Sequence, residues 1–502
     1  MNERSCNIRI SYGKRELVAI DDFRLAESSL NVLLGESGIG KSLIARAIAG
    51  LLDPDELDIT MNRKPYSDYL QSSEAQEIRR NGFFVFQEPS SHLNPLMMLR
   101  NQLNEGSLAA APDDSAMMER LWGKSSSTRF QDVLDVYPKP YRPSGGEKQR
   151  ILSAMAFKKI STLLEHPEGA LYVFDEPTGN LDDSLRNEFI DLLIETLRQR
   201  RITALLITHD YSMINRLTTA YPDFQKQIIF KELVLNRGQL NLRAFLPEEY
   251  LDWLESRKSK MLRMVKRDPI LKFESGAKIF GRRLMISRDP RGKDQAPLEL
   301  RRGAMTYLKA PSGTGKTTVV KLMMGLLKPE KMKMSLNGRE YTEKSSKKIW
   351  QQQLWGRELT MVFQHADEAL NQNATVRDVF AGLPLPAMDD EAIIRLLSEF
   401  FDEEADREFL GKRVAHLSGG QKQRLNLLRS LSLDTDVVIL DEPLNGLDFA
   451  GAVKVITKIE ERMCGDGGAA FLIISHNEEI FDALVPKDNL FYLRAIADRS
   501  PS

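Results

Sequence analysis

Two runs of eight residues carry the residue types that can cradle a polyphosphate: Gly35-Glu36-Ser37-Gly38-Ile39-Gly40-Lys41-Ser42 and Ala310-Pro311-Ser312-Gly313-Thr314-Gly315-Lys316-Thr317. Glycines let backbone N–H groups converge on phosphate oxygens at a helix N-terminus, where aligned peptide dipoles favour anions. Lys41 and Lys316 are then expected on the β- and γ-phosphates, and the hydroxyls of Ser42 and Thr317 on Mg2+. Further along each half an acidic pair ends an apolar run, Asp175-Glu176 after ALYVF and Asp441-Glu442 after TDVVIL. Such runs fit central strands of a parallel sheet, which deliver their last side chains to the edge where open α/β sheets bind ligands. The aspartate is placed to hold Mg2+ through its shell, and the glutamate to polarise an attacking water. Two of the six histidines, His209 and His476, end the next apolar runs, TALLITH and AFLIISH, where an imidazole can contact a γ-phosphate and position that water.

The elements that must position these groups are legible too. In LNVLLGESGIGKSLIARAIAG an apolar strand runs into the glycines and then into an amphipathic helix, the context a phosphate-binding loop needs. Each feature occurs twice in the same order, together with VFQ ending at Gln87 and at Gln364, and SGGEKQR from Ser144 against SGGQKQR from Ser418. The twins are offset by roughly 270 residues, so the chain is a duplicated module of roughly 235. The expected architecture is α/β, with two tandem P-loop NTPase domains at 1–245 and 268–502, each a mixed sheet core with a helical subdomain. Between them 246–267 reads as a linker helix, acidic at its start and basic at its end, with a solvated face.

Composition bounds the rest. The chain has 502 residues, 70 basic and 71 acidic side chains and a formal charge of -1, so no global positive field recruits nucleic acid or anionic lipid. Cys6 and Cys464 form neither a disulfide framework nor a metal cluster and point to a reducing compartment. The N-terminus lacks the apolar core of a signal peptide and no run of apolar residues is long enough to span a membrane, which suggests a cytoplasmic chain, peripheral to a membrane through a partner.

The P-loop, Gln87, SGGEKQR, DEPTGNLD and THD in this order resemble the nucleotide-binding domains of ABC transporters, and the resemblance covers both halves. It implies ATP and Mg2+ as cofactors, Gln87 and Gln364 near the Mg2+ and the water, and head-to-tail halves that close over two ATP molecules. One composite site would pair Lys41, Ser42, Gln87, Asp175, Glu176 and His209 with the signature residues Ser418, Gly419, Gly420 and Gln421. The other would pair Lys316, Thr317, Gln364, Asp441, Glu442 and His476 with Ser144, Gly145, Gly146 and Glu147. Family members also stack an aromatic ring on adenine; Tyr12 suits the first copy, with core packing an equal rival, whereas Phe280, a looser match, reads more as core. Ala310 replaces the first P-loop glycine and Pro143 the usual leucine before the signature. Alanine resists positive φ and proline removes a donor, so the second of these sites is expected to be the slower.

The segment QEPSSHLNPLM after Gln87 resembles the Q-[DE]-P-x-x-S-L-N-P stretch of ATPase subunits from peptide and nickel importers, with His92 in place of the serine. QHADEALNQ keeps it in part, with Leu370 and Asn371 in register and Gln372 where Pro95 stands. The resemblance implies uptake of a peptide, nickel chelate or related solute, with two transmembrane permease subunits and an extracytoplasmic solute-binding protein as partners and no nucleic acid. The segments after each glutamine, about 50 residues before the signature, would form the helical subdomain that meets the permeases. The rival readings are a soluble tandem ABC ATPase acting on ribosomes or nucleic acid, and an exporter ATPase.

Overall fold

The structure, a computed structural model, describes residues 3–104, 115–123, 130–136, 143–162, 170–179, 181, 183–236, 239–261, 268–311, 314–386, 388–401, 405–464 and 467–497. The chain divides into two compact units, Met1–Tyr250 and Leu251–Ser502.

In the first unit the central sheet has the strand order Gln239–Ala244, Ile228–Asn236, Leu30–Gly35, Thr203–Ile207, Leu171–Asp175, Phe83–Val85. The last five run parallel to one another, and only the edge strand Gln239–Ala244 is antiparallel. Every residue of Leu30–Gly35, Leu171–Asp175 and Thr203–Ile207 is buried, as continuous apolar runs covered on both faces require. A second, antiparallel sheet orders Arg15–Ala26, Glu3–Tyr12, Asp58–Met61 and Lys64–Pro65. Between the segment after Gln87 and the signature lie the helices Leu99–Asn104, Ser115–Trp122 and Phe130–Val136. Arg120 ties the second of them to the long helix Asp183–Gln199 through Glu188 and Glu195, at 3.1 and 2.6 Å.

The second unit repeats this plan with one change of pairing. Its central sheet orders Ala277–Ile279, Arg282–Ser287, Leu490–Ala497, Met305–Lys309, Ala470–Ile474, Val437–Asp441, Leu359–Val362. Here an early hairpin, 277–287, extends the sheet through the C-terminal strand; in the first unit the corresponding edge is filled by the strand that follows next in the chain.

The segment between the modules forms a helix over Pro247–Met261, and 262–267 lie outside the described residues. Its face is not simply solvated. Tyr250 and Leu254 are buried, Trp253 meets Phe449 edge-on at 5.7 Å between ring centroids, and Arg257 donates to Glu460 Oε2 at 2.6 Å. The expectation overlooked that an amphipathic helix beside a domain finds apolar cover for its aromatic side.

Candidate active site

Each glycine-rich run leaves a buried strand and enters a helix whose N-cap is a left-handed glycine: Gly40 at φ 112° before Lys41–Ile48, and Gly315 at φ 105° before Lys316–Met323. Gly35 and Gly38 also have positive φ, whereas Ala310 is not among the positive-φ residues. The strain expected at Ala310 is therefore absent, because the chain turns out of the second strand without entering the left-handed region. Lys41 Nζ donates to the carbonyls of Gly35 at 2.6 Å and Glu36 at 2.8 Å, and Lys316 Nζ to that of Ala310 at 2.7 Å. Ser37 sits in the first loop; Ser312 and Gly313 lie outside the described residues.

The hydroxyls reach the strand-end aspartates. Ser42 Oγ donates to Asp175 Oδ1 at 3.0 Å and Thr317 Oγ1 to Asp441 Oδ2 at 2.9 Å. Burial pushes the Asp175 carboxyl up to about 6, against the hydrogen bond from Ser42, and raises Asp441 likewise. Asp175 Oδ2 is buried with no hydrogen-bond partner among the described residues, an arrangement that costs free energy unless a cation or donor faces it. Three or more His, Cys, Asp or Glu poised around one metal position do not occur among the described residues. A hydroxyl, a nearby carboxylate and ligand phosphates nevertheless suit Mg2+, which keeps part of its water shell rather than using an all-protein cage.

Glu176 and Glu442 follow these aspartates with φ of 47° and 53°, a region that non-glycine residues occupy at a cost of about 1–3 kcal/mol and that clusters at functional sites. Glu176 is held by two side chains: Gln87 Nε2 donates to Oε2 at 2.7 Å, and His209 Nδ1 lies 2.8 Å from Oε1. Burial acts to raise its carboxyl, but His209, Lys41 and Gln87 outweigh that and hold it below the usual range. His209 moves the opposite way: burial lowers it, Glu176 overrides, and the net shift is upward. Glu442 is held differently, by the Ser475 hydroxyl at 3.1 Å and the His476 amide at 3.0 Å, with His476 Nε2 3.4 Å from the other oxygen. Burial pushes its carboxyl up to about 7. The Gln364 side chain makes no hydrogen bond among the described residues. Ser475 was missed in the sequence; the signal was a hydroxyl directly before both histidines, Thr208 and Ser475.

The signature serines are N-caps. Ser144 opens Gly145–Ser161 in a capping box with Glu147, and Ser418 opens Gly419–Leu431 in one with Gln421. Gly146 and Gly420 lie in the first turns, where helix N–H groups lack intrahelical acceptors. Pro143 is buried; the amide of its counterpart, Leu417, donates to Val414 O at 3.1 Å, a bond proline cannot make. Each signature helix also grips the segment after its glutamine: Lys148 donates to Ser90 at 3.0 Å, and Lys422 to Asp367 at 2.8 Å. The partial register of those segments has a structural echo, since Leu93 and Leu370 are buried and the side chains of Asn94 and Asn371 each accept the amide two residues on. His92 stacks on Phe86 at 9° between ring planes.

Tyr12 and Phe280 occupy tips of hairpins and are 67% and 76% exposed, each followed by a positive-φ glycine. Assigning Phe280 to the core was wrong: the turn carries its ring away from the sheet face. YGKR against FGRR was the signal.

The model of the ABC transporter family matches residues 17–179 and 294–445, together more than half of the chain. The glutathione import ATP-binding protein GsiA of Shigella dysenteriae serotype 1 (strain Sd197) is 24% identical over 547 residues, covering 99% of this chain and 85% of that protein. GsiA of Escherichia coli (strain K12) matches at the same identity and coverage. Among solved structures, an archaeal ribosome recycling factor, aABCE1, in complex with the ribosomal stalk protein aP1, shares the fold at a TM-score of 0.59 and 17% identity, over 93% of this chain and 86% of that one. RNase-L Inhibitor does so at 0.59 and 16%, over 94% and 86%. With two copies of the family's domain, each carrying the P-loop, acidic strand end and signature helix described above, the chain belongs to the ABC transporter family as a tandem ATP-binding protein and ATPase.

Proposed function

We propose that the chain is the ATP-hydrolysing subunit of an importer, peripheral on the cytoplasmic face of the cell membrane. It drives uptake of a peptide, nickel chelate or related small solute through two permease subunits fed by an extracytoplasmic binding protein. The observation that carries this reading is the similarity to import ATP-binding proteins over 99% of the chain, both modules and the helix between them included. Among the described residues no helix is long and apolar enough to cross a membrane, so the solute's path belongs to partners.

In this reading the P-loop amides, Lys41 and Lys316 hold the β- and γ-phosphates, and the signature helix N-termini at Ser144 and Ser418 add donors. Ser42, Thr317, Asp175, Asp441, Gln87 and Gln364 would hold Mg2+. When bound, the ion neutralises charge developing on the phosphate oxygens. Glu176 and Glu442 take the proton of the attacking water, and His209 and His476 orient it against the γ-phosphate. Tyr12, with Phe280 in the second copy, stacks on adenine. Gln87 joins Glu176 to the QEPSSHLNPLM segment, and Lys148 joins that segment to the signature helix, so a change at the phosphate is felt where a permease would dock.

The test is to purify the tagged chain carrying Glu176→Gln from detergent-solubilised native membranes with ATP, and to identify co-purifying proteins by mass spectrometry. Two multi-span permease subunits are the expected result. Ribosomal or nucleic-acid-associated partners without permeases would overturn it and favour a soluble tandem ATPase.

A further inference from the structure

The outward face of the first unit's antiparallel sheet holds a concavity of about 300 Å3 lined by Asn7, Arg9, Asp21, Thr60 and Arg63. Its polarity follows from strand alternation: Ile8, Ile10, Val18, Ile20, Ile59 and Met61 are buried, which leaves the residues between them on the outer face. A register shift between Cys6 and Ile8 sets two residues, Asp21 and Asp22, opposite Asn7, and the amide of Asp22 donates to Asn7 Oδ1 at 3.0 Å. The face is thereby dented beside Arg9.

Arg63 is the unusual member. Met61 pairs with Lys64, so Asn62-Arg63 form a two-residue hairpin turn, both in the left-handed region at φ 52° and 62°. The matching turn of the second unit, between Leu336 and Arg339, is Asn337-Gly338, at 48° and 78°. That turn asks for glycine at its second position. A Cβ at Gly338 would meet nothing within 4 Å, so backbone preference rather than crowding is what suits glycine there. The first unit thus tolerates a strained arginine, and among the described residues Arg63 forms neither a hydrogen bond nor an ion pair.

The second unit neutralises its own outer face. Lys272 pairs with Glu299 at 3.3 Å, and Glu299 also holds Arg301 at 2.6 Å. Across from Arg9 stands Ala19, where Glu299 stands across from Lys272. Among the described residues Arg9 pairs with Asp21, at 3.3 Å, which also lines the concavity, and with Glu16, at 3.7 Å, both largely exposed.

We propose that this concavity binds a small oxyanion, a carboxylate or a phosphate, gripped by the guanidinium groups of Arg9 and Arg63 with the Thr60 hydroxyl as a further donor, and that the second unit has no such site. A planar guanidinium matches either anion with two parallel N–H donors. The full chain, its nucleotide sites saturated with a non-hydrolysable ATP analogue and chloride held constant, is titrated calorimetrically with inorganic phosphate and separately with succinate. Arg63→Gly installs the residue the second unit uses in this turn, so the fold is kept and its melting temperature should rise. We expect at least one anion to bind the wild type and its affinity to fall about tenfold or more in both Arg63→Gly and Arg9→Gln, as loss of a charge-assisted contact implies. The anion that binds tighter identifies the source. No binding to the wild type, equal binding to all three proteins, or loss in only one variant would overturn the assignment.

Discussion

Glu176 and Glu442 end the same kind of buried strand, share the same left-handed backbone, and each stands beside a P-loop hydroxyl–aspartate pair, yet their carboxyls are held by different partners. Around Glu176 a histidine ring and a glutamine amide reach in from two other segments, at 2.8 and 2.7 Å, and stabilise the charged form. Glu442 is drawn toward its neighbouring strand end, accepting from a hydroxyl and a backbone amide, and burial there favours the protonated form. Duplication kept the residue types; the protonation state depends on which neighbours point at the carboxyl, and those diverged.

The largest expected effect follows from the proposed roles. Replacing the general base of a hydrolytic site costs about 100-fold or more in rate, and a base that stays charged at neutral pH carries more of the turnover than one half protonated there. Each cluster contributes to the total, and a half-protonated Glu442 works at about half the rate of a charged Glu176, so Glu176→Gln should lower steady-state ATP hydrolysis at pH 7 about threefold, and Glu442→Gln by less than twofold. The reverse ranking would break the comparison.

A pH series sharpens it. With Glu176→Gln, residual turnover rests on Glu442 and should climb about tenfold from pH 6 to pH 8, following a group near 7. With Glu442→Gln, the remaining turnover should vary little over that range on account of Glu176, whose carboxyl is held low. Stability gives an independent reading with opposite signs. The folded Glu442 is raised from 4.5 to about 7, so its stabilising contribution is complete below pH 4.5 and lost as pH rises through 7. Glu442→Gln should match the wild type at pH 4 and be more stable at pH 8, by up to about 3 kcal/mol. The folded Glu176 is lowered, so its contribution is present above pH 4.5 and lost on acidification, and Glu176→Gln should destabilise at pH 7. Thermal melts of both variants at the two pH values decide this.

What was legible in the sequence was whatever is written locally and twice. The strands before Gly35 and Asp175 and the helices after Lys41 and Lys316 follow from runs of neighbours whose pattern has one solution. The hairpin at 277–287 was not legible, because its pairing with Leu490–Ala497 is decided by which long-range edge is open. Phe280 misled because a ring within AKIFGRRLMIS resembles core until the glycine turn beside it is weighed. The divergence of Glu176 from Glu442 was invisible for a related reason: Gln87 and Gln364 are the same residue type, and only tertiary placement makes one of them a partner.

The smallest effect separates two explanations for the slower turnover proposed for the second cluster. Gly35 sits at φ 142°, and a Cβ there would lie 2.5 Å from the Leu233 carbonyl oxygen, so Gly35→Ala must shift backbone and should cost about 1–3 kcal/mol. Ala310 has no positive φ to be relieved of. Glycine at that position adds freedom to the unfolded chain and nothing to the folded one, so Ala310→Gly should destabilise by about 0.4–1 kcal/mol and leave turnover unchanged. Urea unfolding of the two variants with matched ATPase assays measures both. If Ala310→Gly speeds hydrolysis, the P-loop substitution limits the second cluster; if it does not, the limit lies with the buried carboxyl of Glu442.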